Sequence, residues 1–529
     1  MTAPVQVDLD GFTEAAATVA AEAIAADVPA KLAAGDPDLW GPDARSEAAI
    51  RLGWLRLDES SRELLPRLAA LRADLEAEGI DRIVLAGMGG SSLAPEVITR
   101  TAGVDLVVLD TTDPGQIRAA LTDLDRTLLV VSSKSGGTVE TDSHRRAFAD
   151  AFAKAGLSAE EVGRRFVAVT DAGSPLERLA KDSGFREVFL ADPNVGGRYS
   201  ALTAFGLVPS ALAGADVTSL LDDAAAVFPS LAAGENNPGL DLGAAIGAGY
   251  AAGRDKVSIA PTPTADAVGL GDWAEQLIAE STGKNGRGVL PVVVESVDAA
   301  GATGPDLLPV AVGQATGPRV AISGPLGAQF LVWEYATALA GRVIGINPFD
   351  QPNVTESKDN TKRILADGIP PTKPAATHGA IEVYADDSLA EGTHDVRGVI
   401  HRLLATVPDR GYLAVMAYLD RLADASAANT RAILAGTTPH SVTFGWGPRF
   451  LHSTGQYHKG GPQVGVFLQI TGAVQEDLDI PGEPYTFGQL QAAQVAGDSQ
   501  ALAGRGRPVV RLHLTDRRAG LGQLMEAIA

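Results

Sequence analysis

The sequence predicts an α/β protein with two doubly wound parallel-sheet domains, each an αβα sandwich of three layers, and a further C-terminal αβ portion. Short apolar runs alternate with segments of helical periodicity from Ile83 onward, as in strands linked by crossover helices. The alternation returns from Val257 and again from Leu413. Gly/Ser-rich loops follow the first and third apolar runs, and in a parallel sheet such loops meet at one edge. The length of 529 residues exceeds one compact core, so two or three domains are expected.

Four segments are expected from these patterns. Residues 1–80 have the composition and spacing of a helical lead-in. Residues 81–214 and 215–365 are the two predicted sheet domains, and 366–529 holds a Pro/Thr/Gly-rich linker and the C-terminal αβ portion. The predicted strands are Ile83–Ala86, Leu106–Leu109, Leu128–Val131, Phe166–Val169 and Val188–Leu190, then Val257–Ala260, Val289–Glu295 and Val320–Ser323, then Leu413–Tyr418, Ser441–Phe444 and Val464–Ile470.

The composition limits the possible functions. The sequence is 45% hydrophobic and 20% charged, as in ordinary globular proteins, and its net charge of -22 argues against nucleic-acid or membrane-surface binding. It has no cysteine, which excludes disulfides and thiolate metal sites. Residues 1–12 lack a basic region followed by an apolar run, and no run of about 18 apolar residues occurs, so we expect neither a signal peptide nor a membrane span. These features predict a cytoplasmic protein.

The loop after the third predicted strand has the residues of a phosphate-binding loop. Hydroxyls, a lysine and two glycines stand where a strand ends and a helix begins, so unpaired backbone N–H groups and the helix dipole favour an anion. The alternative is an ordinary turn with Ser/Thr caps. The predicted phosphate-binding residues of this loop are Ser133, Lys134, Ser135 and Thr138.

The loop after the first strand suggests a second interpretation. Gly87, Gly89 and Ser92 nearly match a dinucleotide-binding fingerprint, and Asp110 ends the next strand about where a ribose-binding acid belongs. The third glycine of that fingerprint is missing, however. Two hydroxyl-rich turns at one sheet edge, the first containing Gly90 and Ser91, suit a single phosphomonoester better.

Several ionisable residues are candidates for catalysis. Glu280 lies near a helix C-terminus, where the dipole disfavours a carboxylate and raises its basicity, although most such glutamates are solvated surface charges. Arg198 is either an anion or oxyanion partner or a structural arginine, and Lys358 either a proton donor or a surface lysine. His452 and His458 lie together in a loop rich in glycine, with no carboxylate cluster of metal-ligand spacing near them, which leaves metal binding a weak alternative.

Taken together and in order, five segments resemble the glucose-6-phosphate isomerase family, which is built from SIS-type sugar-isomerase domains. The segment Val195–Ser200 is the most specific, because it reads VGGRYS like the family signature. The others resemble the family's Gly-Gly-Ser loop, phosphate loop, glutamate segment and FDQ segment with its lysine, and are Gly87–Pro95, Ser133–Thr141, Glu280–Lys284 and Phe349–Pro352 with Lys358. The long third portion is similar to the isomerase half of actinobacterial transaldolase–isomerase fusions.

The resemblance implies interconversion of glucose 6-phosphate and fructose 6-phosphate through an enediol(ate), in glycolysis and gluconeogenesis. It implies Glu280 as the base, Arg198 as the partner of the negative intermediate, and Gln351 as a positioning residue. Lys358 and a histidine, His458 in preference to His452, would assist ring opening. Gly90, Ser91 and the phosphate loop would hold the phosphate. No metal or organic cofactor is expected, and family members are commonly homodimers.

Departures from the family pattern leave alternatives open. Gly136 and Gly137 replace a bulky residue and a threonine in the phosphate loop. No histidine lies between Glu280 and Lys358, where the family's ring-opening histidine belongs. The alternatives are a dual-specificity phosphoglucose/phosphomannose isomerase, a non-catalytic phosphosugar-binding SIS regulator, and a dinucleotide oxidoreductase.

Overall fold

The computed structural model describes residues 4–353, 355–369 and 372–529. Three separate sheets, each flanked by helices, confirm the predicted α/β class. The predicted linker includes residues 370 and 371, which lie outside the described residues, as do residues 1–3 of the predicted lead-in. Of the helices in these ranges, none is both long and apolar enough for a membrane span.

The first sheet is wholly parallel and has the strand order β3-β2-β4-β5-β6. Its strands are β2 (Arg82–Gly87), β3 (Val107–Leu109), β4 (Thr127–Ser132), β5 (Phe166–Asp171) and β6 (Glu187–Ala191). The helices before and within it are α1 (Thr13–Ala25), α2 (Val28–Ala33), α3 (Arg45–Arg51), α4 (Leu57–Ser60), α5 (Leu65–Ala77), α6 (Leu93–Ala102), α7 (Pro114–Ala120), α8 (Val139–Lys154), α9 (Ala159–Arg164) and α10 (Pro175–Asp182).

The second sheet has the order β1-β10-β9-β7-β8 and is parallel except for its edge strand β1. Its strands are β1 (Gln6–Asp8), β7 (Lys256–Pro261), β8 (Leu290–Val293), β9 (Leu307–Val312) and β10 (Val320–Ser323). The helices of this part are α11 (Ala204–Ala213), α12 (Val217–Leu231), α13 (Pro238–Ala251), α14 (Leu270–Thr282), α15 (Leu326–Ile344) and α16 (Thr355–Asp367).

The third sheet has the order β11-β12-β16-β15-β13-β14, with antiparallel pairs only at the β11–β12–β16 side. Its strands are β11 (Ala376–His378), β12 (Ile381–Tyr384), β13 (Tyr412–Tyr418), β14 (Ser441–Trp446), β15 (Gly465–Gly472) and β16 (Val509–Leu514). Its helices are α17 (Asp387–Ala390), α18 (Val396–Leu404), α19 (Asn429–Ala435), α20 (Gly455–Gly460), α21 (Phe487–Ala503) and α22 (Arg517–Ile528).

The predicted strands all occur, and the structure adds five that were not predicted. The edge strand β1 places part of the supposed helical lead-in in the second sheet, antiparallel to β10. Inside β9, Pro309 interrupts an otherwise apolar run and obscures the strand pattern. The other three, β11, β12 and β16, form the antiparallel side of the third sheet. The proposed domain boundaries remain predictions.

Apolar packing joins the sheets. One buried cluster includes Leu85 of the first sheet, Ile259 of the second and Trp333 of α15, so these two sheets share a core. A smaller cluster joins Leu290 of the second sheet to Met416 of the third. This packing fixes the relative positions of loops that come from distant parts of the chain.

The first sheet brings both predicted phosphate loops to one place. Its strands β2 and β4 are neighbours, with Gly87 opposite Ser132, although β3 comes between them in the chain. The chain therefore proceeds from β2 to one side of the sheet and from β4 to the other. Such a point is called a topological switch point, and it is where open parallel sheets bind their ligands. The loops that follow β2 and β4 lie side by side there.

The loop after β2 also packs directly against the turn at Gly197. A Cβ built on Gly90 would overlap the carbonyl oxygen and carbon of Gly197, so this approach requires glycine. Gly197 itself has no heavy atom within 4 Å of an added Cβ.

We predict that Gly90→Ala destabilises the protein by about 1–3 kcal/mol, because the added methyl group forces two backbone segments apart. Differential scanning calorimetry would show this as a lower Tm. Gly197→Ala is the matched control, since the same methyl group there meets open space. Equal Tm values for the two variants would contradict the close approach.

Candidate active site

A cavity of about 380 Å³ lies at the switch point of the first sheet. The first sheet, the second sheet and the C-terminal portion all contribute to its walls. Among the predicted site residues, those that line it are Gly90, Ser91, Ser133, Lys134, Ser135, Thr138, Glu280, Gln351 and Lys358. His452 lines it as well.

The phosphate loop forms one wall and is held by its own side chains. The Ser133 and Thr138 hydroxyls are hydrogen-bonded at 2.9 Å, and the Gly137 N–H donates to Oγ of Ser135 at 3.3 Å. Thr138 caps α8 without a side-chain hydrogen bond to the first turn. The N–H groups of that turn are therefore available to an anion.

Two features of this loop, the ion pair of Lys134 and the backbone conformation of Gly136, could not be seen from the sequence. Lys134 forms an ion pair with Asp171 at 2.8 Å, so its charge is partly neutralised. Gly136 has a φ of +68°, and a Cβ there would lie 2.7 Å from the backbone nitrogen of Leu176. Glycine at this position is thus required by both conformation and space.

Glu280 lies on the last turn of α14 and is buried in the cavity wall. Its Oε2 is 3.4 Å from Nη1 of Arg198, and its Oε1 accepts a hydrogen bond from Nε2 of Gln276 at 3.3 Å. Burial raises the pKa of Glu280 above its ordinary value of 4.5, and the charge of Arg198 offsets only part of that rise. A carboxylate with a raised pKa is a stronger base than an exposed glutamate.

Arg198 is 2% exposed and joins three segments of the chain. Arg198 lies in the VGGRYS turn, and its Nε donates to Oγ of Ser281 on α14 at 2.9 Å. Nη1 donates to Oε1 of Gln351 at 2.9 Å, and Nη2 donates to the carbonyl oxygens of Pro348 and Asp350 at 2.7 and 3.0 Å. The guanidinium is therefore fixed beside Glu280.

His452 enters the cavity from the C-terminal portion. Its Nε2 is hydrogen-bonded to Oε1 of Glu140 at 3.0 Å, and its carbonyl oxygen accepts from Nε2 of Gln276 at 2.9 Å. Burial alone would raise the pKa of Glu140, but the charge and hydrogen bond of His452 reverse this and lower it to about 2. The ionised carboxylate fixes the orientation of the imidazole.

His458, the histidine preferred from the resemblance, does not lie in this cavity. His458 lies in α20, is 2% exposed and does not line the cavity. Its Nδ1 is 3.0 Å from the hydroxyl of Tyr412, and its ring packs edge-on against Phe467. Burial lowers the pKa of His458 well below 6.5, as expected for a neutral core histidine.

Sequence reasoning missed the role of Glu140. It stands two residues after Thr138, inside the segment that resembles the family's phosphate loop. An acidic residue in the first turn of a helix is common and gives no signal by itself. Only the folded structure shows that Glu140 is hydrogen-bonded to His452, which is 312 residues away in sequence.

Lys358 lies on α16 with its side chain exposed and facing the cavity. Its charge helps to favour the ionised forms of Glu140 and Glu280. The cavity adjoins a second compartment of about 550 Å³, which Lys358 and His452 also line. In the described ranges, no group of three or more His, Cys, Asp or Glu side chains is arranged to hold a metal ion.

Residues 73–286 match the family model described as phosphoglucose isomerase. The resemblance seen in the sequence is confirmed over this part of the chain. The matched region includes the phosphate loop, Arg198 and Glu280, whereas the segments with Lys358 and His452 lie beyond it.

Curated relatives agree with this match. The glucose-6-phosphate isomerase of Cyanothece sp. is 34% identical over 219 residues, which are 38% of this chain and 40% of the relative. The probable glucose-6-phosphate isomerase of Haloarcula marismortui is 34% identical over 248 residues, 44% of this chain and 53% of the relative. The chain thus spans about half the length of these relatives.

Solved structures support the fold. A hypothetical protein from Thermus thermophilus superimposes with a TM-score of 0.56 and 24% identity, over 68% of this chain and all of that one. The glucose-6-phosphate isomerase of Chlamydia trachomatis gives a TM-score of 0.50 and 22% identity, over 60% of this chain and 75% of that one. At these identities the comparison concerns the fold alone.

One further lysine holds the loop that carries Gln351. Nζ of Lys284 is buried and donates to the carbonyl oxygens of Asn347 and Asp350 and to Oδ1 of Asp350, at 2.6–2.7 Å. Burial and the charge of Arg198 lower the pKa of Lys284 to about 7.

We predict that Lys284→Met loosens residues 347–351, because methionine keeps the length but removes the donor to the Asn347 carbonyl and the Asp350 carboxylate, and a buried acceptor left unpaired costs about 1–3 kcal/mol. Hydrogen–deuterium exchange in that loop should become faster. Lys154→Met is the matched control, since Lys154 is 77% exposed and forms a surface ion pair with Asp150. Unchanged exchange at 347–351 in Lys284→Met would contradict the anchoring role.

Proposed function

We propose that this protein is a glucose-6-phosphate isomerase that interconverts glucose 6-phosphate and fructose 6-phosphate. The observation that carries the proposal is the buried ion pair of Glu280 with Arg198, because Glu280 lines the same cavity as the phosphate loop. A base with a raised pKa beside a fixed cation is what proton transfer next to a carbonyl requires. The curated relatives carry the same activity in their names.

The phosphate group would bind at the N-terminus of α8. Ser133, Ser135 and Thr138 line the cavity, and so does Ser91. Hydroxyl and backbone N–H donors at a helix N-terminus can together stabilise a bound phosphate without a dedicated lysine. Lys134, paired with Asp171, would contribute mainly to the local positive potential.

Ring opening would use His452 and Lys358. A proton must leave the anomeric hydroxyl and another must reach the ring oxygen as the ring C–O bond breaks. Because Glu140 orients the imidazole of His452 inside the cavity, we assign this step to His452 in place of His458. Lys358 faces the same space and would share in the proton movement.

Isomerisation would use Glu280 and Arg198. Glu280 would remove the C2 proton of the open aldose and return it to C1, while a proton passes between the O1 and O2 oxygens of the enediol(ate). Arg198 would stabilise the negative charge that develops on oxygen. Gln351, hydrogen-bonded to Arg198, would position the sugar.

This chemistry needs only a base and a partner for the oxyanion, so we propose no metal or organic cofactor. A homodimeric assembly and a cytoplasmic location remain predictions. Each residue assigned here comes from the same chain, and His452 reaches Glu280's cavity without a second copy.

We predict that Glu280→Gln lowers kcat by about 10²–10⁴-fold, because an amide cannot accept the C2 proton. The assay is conversion of fructose 6-phosphate to glucose 6-phosphate by the purified chain, with mannose 6-phosphate as a second substrate. Calorimetric binding of the sugar phosphate should be largely retained. Incorporation of solvent deuterium at C2 should fall with turnover.

Glu14→Gln, on the exposed face of α1, is the control for this variant. Full activity of Glu280→Gln would overturn the assignment of the base. Absence of turnover in the unmodified protein would overturn the isomerase proposal, and tight sugar-phosphate binding without turnover would favour the SIS regulator.

We predict opposite effects for the two histidines. His452→Asn should lower kcat/KM by about 10²-fold, as expected for loss of an acid–base group. His458→Asn should keep turnover but lower Tm, because the buried Tyr412 hydroxyl loses the imidazole as its hydrogen-bond partner and the Tyr412 ring loses its stacking contact. Steady-state kinetics and calorimetry on both variants test this, and the reverse pattern would restore His458 as the catalytic histidine.

A further inference from the structure

The carboxyl group of Glu140 has a second partner besides His452. Its Oε1 accepts a hydrogen bond from Nε2 of Gln494 at 2.8 Å, and the same oxygen lies 3.0 Å from Nε2 of His452. Gln494 is buried on helix α21, 354 residues from Glu140 in the sequence. The proposed reaction steps give Gln494 no task.

Gln494 is in turn held by Thr112. The hydroxyl of Thr112, which is fully buried in the loop after β3, donates to Oε1 of Gln494 at 2.8 Å. A carboxylate only accepts hydrogen bonds, so the Gln494 side chain must direct its nitrogen to Glu140 and its oxygen to Thr112. These hydrogen bonds therefore hold the chain Thr112–Gln494–Glu140–His452 in one orientation.

Helix α8, which carries Glu140, is held against the same two elements. His144, one turn after Glu140, has its Nε2 2.8 Å from the carbonyl oxygen of Thr111, and its ring stacks on Phe487 of α21 with an interplanar angle of 12°. Burial lowers the pKa of His144 to about 4, so the imidazole is neutral at physiological pH. Its Nε2 must carry the proton, because a carbonyl oxygen only accepts. These contacts tie α8, the loop with Thr112 and α21 together.

Helix α21 is itself fixed by a buried charge pair. Asp498, one turn after Gln494, lies 3.0 Å from Nζ of Lys459 and accepts a hydrogen bond from Oγ of Ser357 at 3.2 Å. Asp498 and Lys459 are both buried, and buried charges are stable only when they are paired and hydrogen-bonded. The amide of Gln494 is thus presented by a helix that has little freedom to move.

We propose that Gln494, backed by Thr112, is the positioning residue for the ring-opening histidine, His452. Its amide keeps the carboxylate of Glu140 facing the imidazole, and the carboxylate keeps the imidazole aligned in the cavity. The inference rests on the proposed function, because it takes His452 as the proton-transfer group of ring opening. Gln494 and His452 both lie beyond residues 73–286, which match the isomerase family model, so the C-terminal portion supplies the histidine together with the residue that aligns it.

Loss of the amide would affect the rate through alignment. Glu140 would lose one of the two hydrogen bonds that its carboxyl group forms with other side chains in the described ranges. The carboxyl group could then turn away from the imidazole, and His452 would spend less time aligned with the sugar. Proton transfer is sensitive to such misalignment, since a displacement of about 1 Å can lower a rate about 10²-fold. Because the imidazole itself remains, the loss should be smaller than in His452→Asn.

Ring opening can be measured apart from isomerisation. Opening and reclosing of the ring interconverts the α and β anomers of glucose 6-phosphate without removal of the C2 proton. In Glu280→Gln protein, which lacks the proposed base, nuclear magnetic resonance exchange spectroscopy would record anomer exchange above the uncatalysed rate. We expect Gln494→Met in this background to lower the catalysed exchange about tenfold, as for loss of a hydrogen bond to a charged group. The calorimetric affinity for glucose 6-phosphate should stay largely unchanged.

Matched variants separate alignment from packing. Gln491→Met, on the same helix, changes a buried amide whose Nε2 has no hydrogen-bond partner in the part of the chain that the structure describes, so it should leave anomer exchange unchanged. Thr112→Val removes the hydroxyl behind Gln494 and should also lower exchange, whereas Thr112→Ser keeps the hydroxyl and should keep exchange. Because both residues act through one chain, Gln494→Met combined with Thr112→Val should lose less than the product of the two single losses.

Two results with an active protein would overturn the proposal. One is equal anomer exchange in Gln494→Met and Gln491→Met, and the other is equal exchange in Thr112→Val and Thr112→Ser. The threonine pair decides the matter even where Gln494→Met fails to fold, which circular dichroism would show.

A measurement without turnover separates this inference from the isomerase proposal. Nitrogen-15 shifts of the His452 imidazole, assigned by their absence in His452→Asn, report which ring nitrogen carries the proton. Because Glu140 accepts from Nε2, the unsubstituted protein should show the Nε2–H form, and Gln494→Met should move the shifts toward a mixture of both forms. Unchanged shifts in Gln494→Met would overturn the positioning role. Changed shifts in a protein that has no turnover would overturn the isomerase proposal and leave the alignment by Gln494 standing.

Discussion

The buried guanidinium of Arg198 is the interaction on which the candidate site depends. Burying a cation is costly unless its hydrogen bonds are satisfied, and here oxygen acceptors from α14 and from the loop 348–351 satisfy them. The same contacts hold the turn after the first sheet, the end of α14 and the loop with Gln351 in one arrangement. Glu280 owes its position beside a cation to this junction, whereas burial raises its pKa and the charge of Arg198 offsets part of that rise. A lysine could not replace it, because one ammonium cannot present a planar fork of donors to so many separate acceptors.

The C-terminal portion completes the cavity from a distant part of the chain. Its turn Arg449–His452 places His452 against Glu140 and links back to α14 through Gln276. Helix α16, which carries Lys358, packs against α21, where Ser357 donates to Asp498 at 3.2 Å. The third sheet therefore positions both proton-transfer groups that the sugar ring would need, while the first two sheets position the phosphate loop and the base.

Much of the fold and of the site was predictable. The apolar runs predicted the central strands, and the hydroxyl-rich loop was predicted from its place between a strand and a helix. Glu280 was predicted as the base through the family resemblance, since its position alone is typical of a surface charge. The missed strands had weak patterns, since β1 has three residues and Pro309 interrupts β9. The sequence could not decide between His452 and His458, because both stand in one glycine-rich segment in which His452 lines the cavity and His458 is buried in the core. This segment is too short for hydrophobic periodicity to show which of the two histidines is buried in the core.

The sequence by itself determined the α/β class and the resemblance to the isomerase family, because these follow from local patterns of apolar runs, glycines and hydroxyls and from short motifs. The phosphate loop and Glu280 as the base are predictions from the same motifs. Only the tertiary structure decided which histidine enters the cavity, that Glu140 orients it, and that Lys284 anchors the Gln351 loop. Each of these depends on contacts between residues far apart in sequence, such as the 312-residue separation of Glu140 and His452.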